Sequence, residues 1–178
     1  MCGFVGFANF EKNISQEKDL LQKMNNSISR RGPDEQGYYI DKNVAMAHKR
    51  LIVIDPEGGK QPMVESCSKS IPLQKENSDM VINYNSNFVI SYNGQIYNTK
   101  ELKKVLLENN FKIDSHSDTE ILLKSYIHYG NDVVKHLNGI YAFAIWDSQK
   151  EELFIARDHF GVKPLFYTMQ NNSFIFAS

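Results

Sequence analysis

The chain predicts a layered α+β domain, because strand-like runs occupy both ends and amphipathic helical runs fill the middle. The run Ile140 to Trp146 sharpens this: Ala142 and Ala144 alternate with Tyr141, Phe143 and Ile145. One face is then small enough for another layer to approach closely, which predicts a central strand covered on both sides. With 178 residues, 42% of them hydrophobic and 12% aromatic, the chain can bury one sizeable core, so a single domain over 1–178 is expected.

Phe4 to Phe10 is rich in aromatic and β-favouring residues and predicts a strand beginning almost at the terminus, which would hold Cys2 in a fixed place. Ser15 reads as an N-cap, and Leu20, Leu21, Met24 and Ile28 share one face of a helix over about 16–29, stopped by Gly32-Pro33. Gly37 to Ile40 and Val44 to Ala47 form a hairpin signal around Asp41-Lys42-Asn43, leading into His48-Lys49-Arg50-Leu51 with Arg50 at a strand end. The segment 56–62 is turn-rich, and Glu65 to Asp79 is polar enough to predict a long, mobile surface loop with Cys67 as an incidental thiol. Met80 to Tyr84 and Phe88 to Tyr92 read as strands joined by Asn85-Ser86-Asn87, the second ending at Asn93-Gly94. Asn98 with Glu101, and Ser117 with Glu120, fit capping boxes opening two helices, the second ended by Gly130, with Asp132 capping a short third. Strands follow at Glu152 to Arg157, Leu165 to Thr168 and Phe174 to Ala177.

Twenty Lys and Arg against 21 Asp and Glu leave a formal net charge of -1, which argues against nucleic acid or an anionic membrane as partner and favours a small ligand. No run approaches the roughly 18 apolar residues of a membrane span, and the N-terminus lacks a secretion signal, so a cytoplasmic protein is expected. Cys2 and Cys67 lack CxxC spacing, and His48, His116, His128, His136 and His159 lack HExxH spacing. Neither a disulfide framework nor a metal site is predicted.

If an aminopeptidase removes Met1, Cys2 carries a thiol and a free α-amine on one residue, a nucleophile with its own proton acceptor. Three other features belong where strand ends and loops converge: Arg50, Asn93-Gly94 and Asp118. Singly they are a surface cation, a turn dipeptide and a helix N-terminal acid. Together they describe a site for an amino acid amide. A guanidinium grips an α-carboxylate through paired hydrogen bonds, and a carboxylate balances an α-ammonium. The Asn93 side-chain amide and the Gly94 N–H can donate to a carbonyl oxygen that gathers charge under attack by sulfur.

Met-Cys-Gly at 1–3, Arg-Arg-Gly-Pro-Asp at 30–34, Ala-His-Lys-Arg-Leu at 47–51, Tyr-Asn-Gly-Gln-Ile-Tyr-Asn at 92–98, Ser-Asp-Thr-Glu at 117–120 and Arg-Asp-His-Phe-Gly-Val-Lys-Pro-Leu at 157–165 occur in that order. The chain thereby resembles class II glutamine amidotransferase domains, above all the glutaminase domain of glutamine-hydrolysing asparagine synthetases. The resemblance implies a four-layer αββα N-terminal-nucleophile (Ntn) hydrolase fold. It implies Cys2 as nucleophile and amine base, Asn93 and Gly94 as oxyanion hole, and L-glutamine bound by Arg50 and Asp118. Leu51, Ile52, Val53 and Ile54 would line the pocket through their backbone. Arg31 to Asp34 and Arg157 to Leu165 would be framework loops.

Where the family commonly has Asn-Gly-Glu, this chain has Asn93-Gly94-Gln95, which removes a negative charge near the substrate ammonium. The resemblance further implies a synthetase domain in cis or in trans that receives the ammonia, and a homodimer of the full-length enzyme. ATP and Mg²⁺ are expected only for that synthetase domain, whose Ser-Gly-Gly phosphate loop has no counterpart here, and no cofactor is expected in this chain. Two rival readings stand beside it: an amidotransferase serving another acceptor, and a non-catalytic domain that binds glutamine or docks on a partner.

Overall fold

The computed structural model describes residues 2–52, 55, 57–72 and 81–178, with 67–72 and 81–86 described at the backbone alone. In chain order its elements are β1 (Gly3–Ala8), α1 (Lys18–Ser27), β2 (Glu35–Ile40), β3 (Val44–Arg50), β4 (Met63–Pro72), β5 (Val81–Ile96), α2 (Thr99–Glu108) and α3 (Asp118–Tyr129). A 3₁₀ turn (Gly130–Lys135) then leads to β6 (Gly139–Asp147), β7 (Glu152–Arg157), β8 (Phe166–Gln170) and β9 (Ser173–Ala177). One sheet has the order β2-β3-β1-β9-β8 and the other β4-β5-β6-β7, all neighbours antiparallel.

Side chains on alternate strand positions sort into three apolar layers. Val5, Phe7, Ala45 and Ala47 turn outward from the first sheet onto Ile14 and Leu21 of the α1 segment. Phe4, Met46 and Phe176 meet Val89, Ala142, Ala144 and Trp146 of the second sheet across the inter-sheet layer. On that sheet's far face Ile90, Tyr92, Phe143 and Ile145 pack against Leu102 and Leu106 of α2 and Leu122 and Tyr126 of α3. The stack is therefore α1, sheet, sheet, α2–α3. The expectation for β6 holds: it lies between β5 and β7, with its alanines in the inter-sheet layer.

Three local expectations are overturned. From Glu65 to Pro72 the supposed loop is β4, laddered to β5 from Met63↔Ile90 to Pro72↔Val81, while residues 73–80 lie outside the described residues. A ribbon of this kind needs only its backbone ladder, so polar composition gave no strand signal. For the same reason Asn85-Ser86-Asn87 is no turn: β5 runs through it and on to Ile96. The caps of two helices also differ. Asn13 Oδ1 takes the Ser15 N–H, and α1 begins after Glu17 without a side-chain cap. Asn98 instead donates to His136 O and accepts from Asn138 N, both at 2.9 Å, tying the start of α2 to the segment before β6. Ser117 does cap α3, accepting from Thr119 N at 3.2 Å, and Gly130 ends it at φ +63°.

Candidate active site

Cys2 immediately precedes β1, which lies between β3 and β9 in the first sheet. Its backbone is pinned by Arg31, whose Nη2 donates to Cys2 O at 3.1 Å while Nη1 donates to Ser178 O at 3.0 Å. The partly exposed thiol lies against Leu51, whose N–H points at Sγ from 3.3 Å and whose carbonyl oxygen is 3.5 Å away. A backbone donor thus holds the sulfur from the side where β3 ends.

Across the inter-sheet layer lies the second half of the site. β4 pairs with β5 only as far as Ile90, so beyond it one edge of β5 has no neighbouring strand. Strand N–H groups alternate sides, which places those of residues 92, 94 and 96 on that edge. Tyr92 N donates to Gln61 Oε1 at 2.6 Å, and Ile96 N donates to Asp118 Oδ2 at 3.3 Å. The Gly94 N–H lies between these two filled positions. A Cβ at residue 94 would run into the Ile140 carbonyl oxygen, which is why glycine stands there. The side chain of Asn93, 3% exposed, turns toward the first sheet, and its Nδ2 has no hydrogen-bond partner among the described residues. A buried donor without a partner calls for an explanation, and on the wall of a cavity a ligand acceptor supplies one.

Arg50 closes β3 as a buried cation. Its Nη1 donates to Glu35 Oε2 at 2.8 Å and its Nη2 to Asp55 O at 2.6 Å. Gly59 admits the guanidinium, because a side chain there would collide with Nη2. Asp55 links this cation to the other end of the site: its carboxylate accepts from Gly58 N and from His116 N, just before α3. Asp118, the first residue of α3, accepts from the Tyr92 hydroxyl at 2.7 Å. Burial raises the Asp118 pKa despite these donors, and a partly desolvated carboxylate of this kind gains from a neighbouring cation. Burial and the Asp118 charge also push the Tyr92 phenol well above its usual range, so it remains a donor.

These pieces enclose one cavity of about 240 Å³, lined by Cys2, Arg50, Leu51, Asn93, Gly94, Gln95 and Asp118. A larger opening of about 410 Å³ shares only Gln95 and Asp118 with it and is not lined by Cys2. Of the pocket segment expected after Arg50, Leu51 lines the cavity, whereas Ile52 is exposed and gives its N–H to Asp34 Oδ2. Val53 and Ile54 lie outside the described residues. Sequence reasoning missed Gln61, Thr119 and Lys163, which also line the cavity. Lys163 lies in the segment read as pure framework. Asp158, buried, takes the N–H groups of Tyr141, Phe160, Val162 and Lys163 and folds that loop onto β6 beside the site. Its place within Arg-Asp-His-Phe-Gly-Val-Lys was the available signal.

Behind the cavity His48 is fully buried, with Nε2 3.0 Å from Tyr92 O. Burial, offset by that hydrogen bond, lowers its pKa from 6.5 to about 4. Between these values the unfolded chain binds a proton that the native chain refuses. Stability is therefore complete above pH 6.5 and falls as pH drops toward 4, by roughly 3 kcal/mol for this group. Denaturant melts between pH 4 and 7 are expected to show this slope, and His48→Gln is expected to flatten it.

Two antiparallel sheets stacked between helices, with Cys2 at the head of a central strand, make the four-layer α+β arrangement expected from the sequence. A family model of the glutamine amidotransferase domain matches residues 1–178, and the chain belongs to that family. Asparagine synthetase [glutamine-hydrolyzing] 3 of Bacillus subtilis is 43% identical over 178 residues, all of this chain and 26% of that protein. Asparagine synthetase [glutamine-hydrolyzing] 1 of the same organism is 37% identical over 180 residues, again all of this chain and 26% of its own length. The chain thus spans about a quarter of these relatives. Among solved structures, glutamine phosphoribosylpyrophosphate amidotransferase from B. subtilis complexed with ADP and GMP superposes with a TM-score of 0.74. It is 19% identical, covering 99% of this chain and 41% of that one, a likeness of fold.

Proposed function

We propose that the chain hydrolyses L-glutamine to glutamate and ammonia through a thioester on Cys2. The observation that carries this reading is the meeting, in one small cavity, of Cys2, Arg50, Asp118 and Asn93, whose Nδ2 has no partner among the described residues. With Met1 removed, the α-amine takes the thiol proton and sulfur attacks the carboxamide carbon. The oxygen gathers charge facing Asn93 Nδ2 and the Gly94 N–H. The amine then protonates the leaving nitrogen, ammonia departs, and a γ-glutamyl thioester remains. A water that gives its proton to the same amine attacks the thioester, releasing glutamate and restoring the thiol. Arg50 reads the α-carboxylate, with Asp118 and Gln95 facing the α-ammonium.

The relatives at 43% and 37% identity support an acceptor as well. The ammonia passes to an ATP-dependent synthetase domain that amidates aspartate, and the full-length protein pairs as a homodimer. Mass spectrometry after treatment with an electrophilic glutamine analogue tests the core of the reading. One adduct on an N-terminal Cys2, blocked by glutamine, is expected; an unmodified Cys2 in protein with a processed N-terminus defeats it.

Gln95 gives a graded prediction. Gln95→Glu restores a charge beside the ammonium and is expected to lower KM for glutamine roughly fivefold, equivalent to about 1 kcal/mol. Steady-state kinetics checks this, with kcat little changed.

A further inference from the structure

The nucleophile and its facing donors lie on different sheets. Cys2 heads β1 in the first, and Asn93 and Gly94 belong to β5 in the second. Their separation is therefore set by how the sheets pack. That packing is largely apolar, through Phe4, Met46, Val89 and Ala142, and apolar contact is non-directional. A hydrogen bond is directional and fixes a distance.

We infer that His48 is a positioning residue, whose hydrogen bond to the Tyr92 carbonyl sets the Asn93–Gly94 edge at its working distance from the Cys2 sulfur. This rests on the glutaminase reading above. His48 stands directly opposite Phe4 in the β1–β3 register, two residues beyond Cys2, and Tyr92 immediately precedes Asn93. The bond therefore spans the two sheets within two residues of each reacting partner. A carbonyl can only accept, so the ring carries its proton on Nε2, and buried Nδ1 has no partner among the described residues. The ring is neutral, and among the described residues its hydrogen bond is the inter-sheet one. Trp146 Nε1 to Asp41 Oδ2, at 2.9 Å, also joins the two halves, but Trp146 stands four residues along β6 from Ala142, the partner of Asn93.

Two amide replacements of similar polarity separate positioning from mere folding. A glutamine at 48 places its NH₂ near the original Nε2, and an asparagine falls one methylene short. In the full chain, His48→Gln is expected to keep kcat for glutamine within about threefold, and His48→Asn to lower it on the order of 10²-fold, the usual penalty of a misplacement near 1 Å. KM, and the rate at which iodoacetamide alkylates Cys2, are expected to stay within about twofold in both, because neither needs the carbonyl-facing donors. The inference falls if His48→Asn keeps wild-type kcat, if both variants lose it equally, or if alkylation falls in step with turnover. Should His48→Asn fail to melt cooperatively, His48→Gln decides: near-wild-type kcat supports the role, and a 10²-fold loss with a native melt overturns it. A wild-type chain that releases no ammonia from glutamine defeats the glutaminase reading itself, whereas an active wild type matched by His48→Asn defeats this inference alone.

Discussion

Replacing Cys2 with alanine is expected to lower glutamine hydrolysis on the order of 10⁴-fold or more, since no thioester can form and what remains is binding and donor chemistry alone. The fold should survive. Sγ is partly exposed and its contacts with Leu51, at 3.3 and 3.5 Å, are long, so truncation opens no sealed cavity. The backbone of residue 2 stays held by Arg31 in either case. Ammonia release in a coupled assay, paired with thermal melts, reads both halves of this expectation. A chain that keeps Met1 should be equally inactive, because its α-amine is then one residue away from the thiol. Turnover in either protein would exclude the proposed chemistry.

Asn93→Ala comes next in size. It removes one of two donors facing the developing oxyanion, which typically costs roughly 10²–10³ in rate. The effect belongs in kcat, because the donor gains its full charge-assisted bond only when the oxygen becomes negative. KM for glutamine should move little. Loss of stability should also be modest for so buried a polar residue, since its Nδ2 has no hydrogen-bond partner among the described residues to lose. Steady-state kinetics with a thermal melt checks the split. An Asn93→Ala enzyme with wild-type kcat would show that the orphaned amide serves something other than the carbonyl.

The layered α+β class, the early strand that holds Cys2, the central β6 and the α3 cap at Ser117 were all legible in the chain. Local rules govern them: alternation of small and large side chains, aromatic and β-branched runs, and short-range capping. Cys2, Arg50, Asn93, Gly94 and Asp118 could be singled out by chemical type, as thiol, cation, amide, bare backbone N–H and carboxylate, and the structure brings them to one cavity. Three things were not legible. Asn93-Gly94 reads as a turn, and only the end of the β4 ladder at Ile90 shows it to be a bare strand edge. Gln61 and Lys163 look like loop residues until β5 and the Asp158-braced segment bring them to the cavity wall.

His48 looks like one more solvated imidazole until two sheets close over it. Each of these depends on partners dozens of residues distant. Residue type and spacing carry the chemistry a chain contains, whereas which groups face one another, and which are left without a partner, follows from how its layers stack.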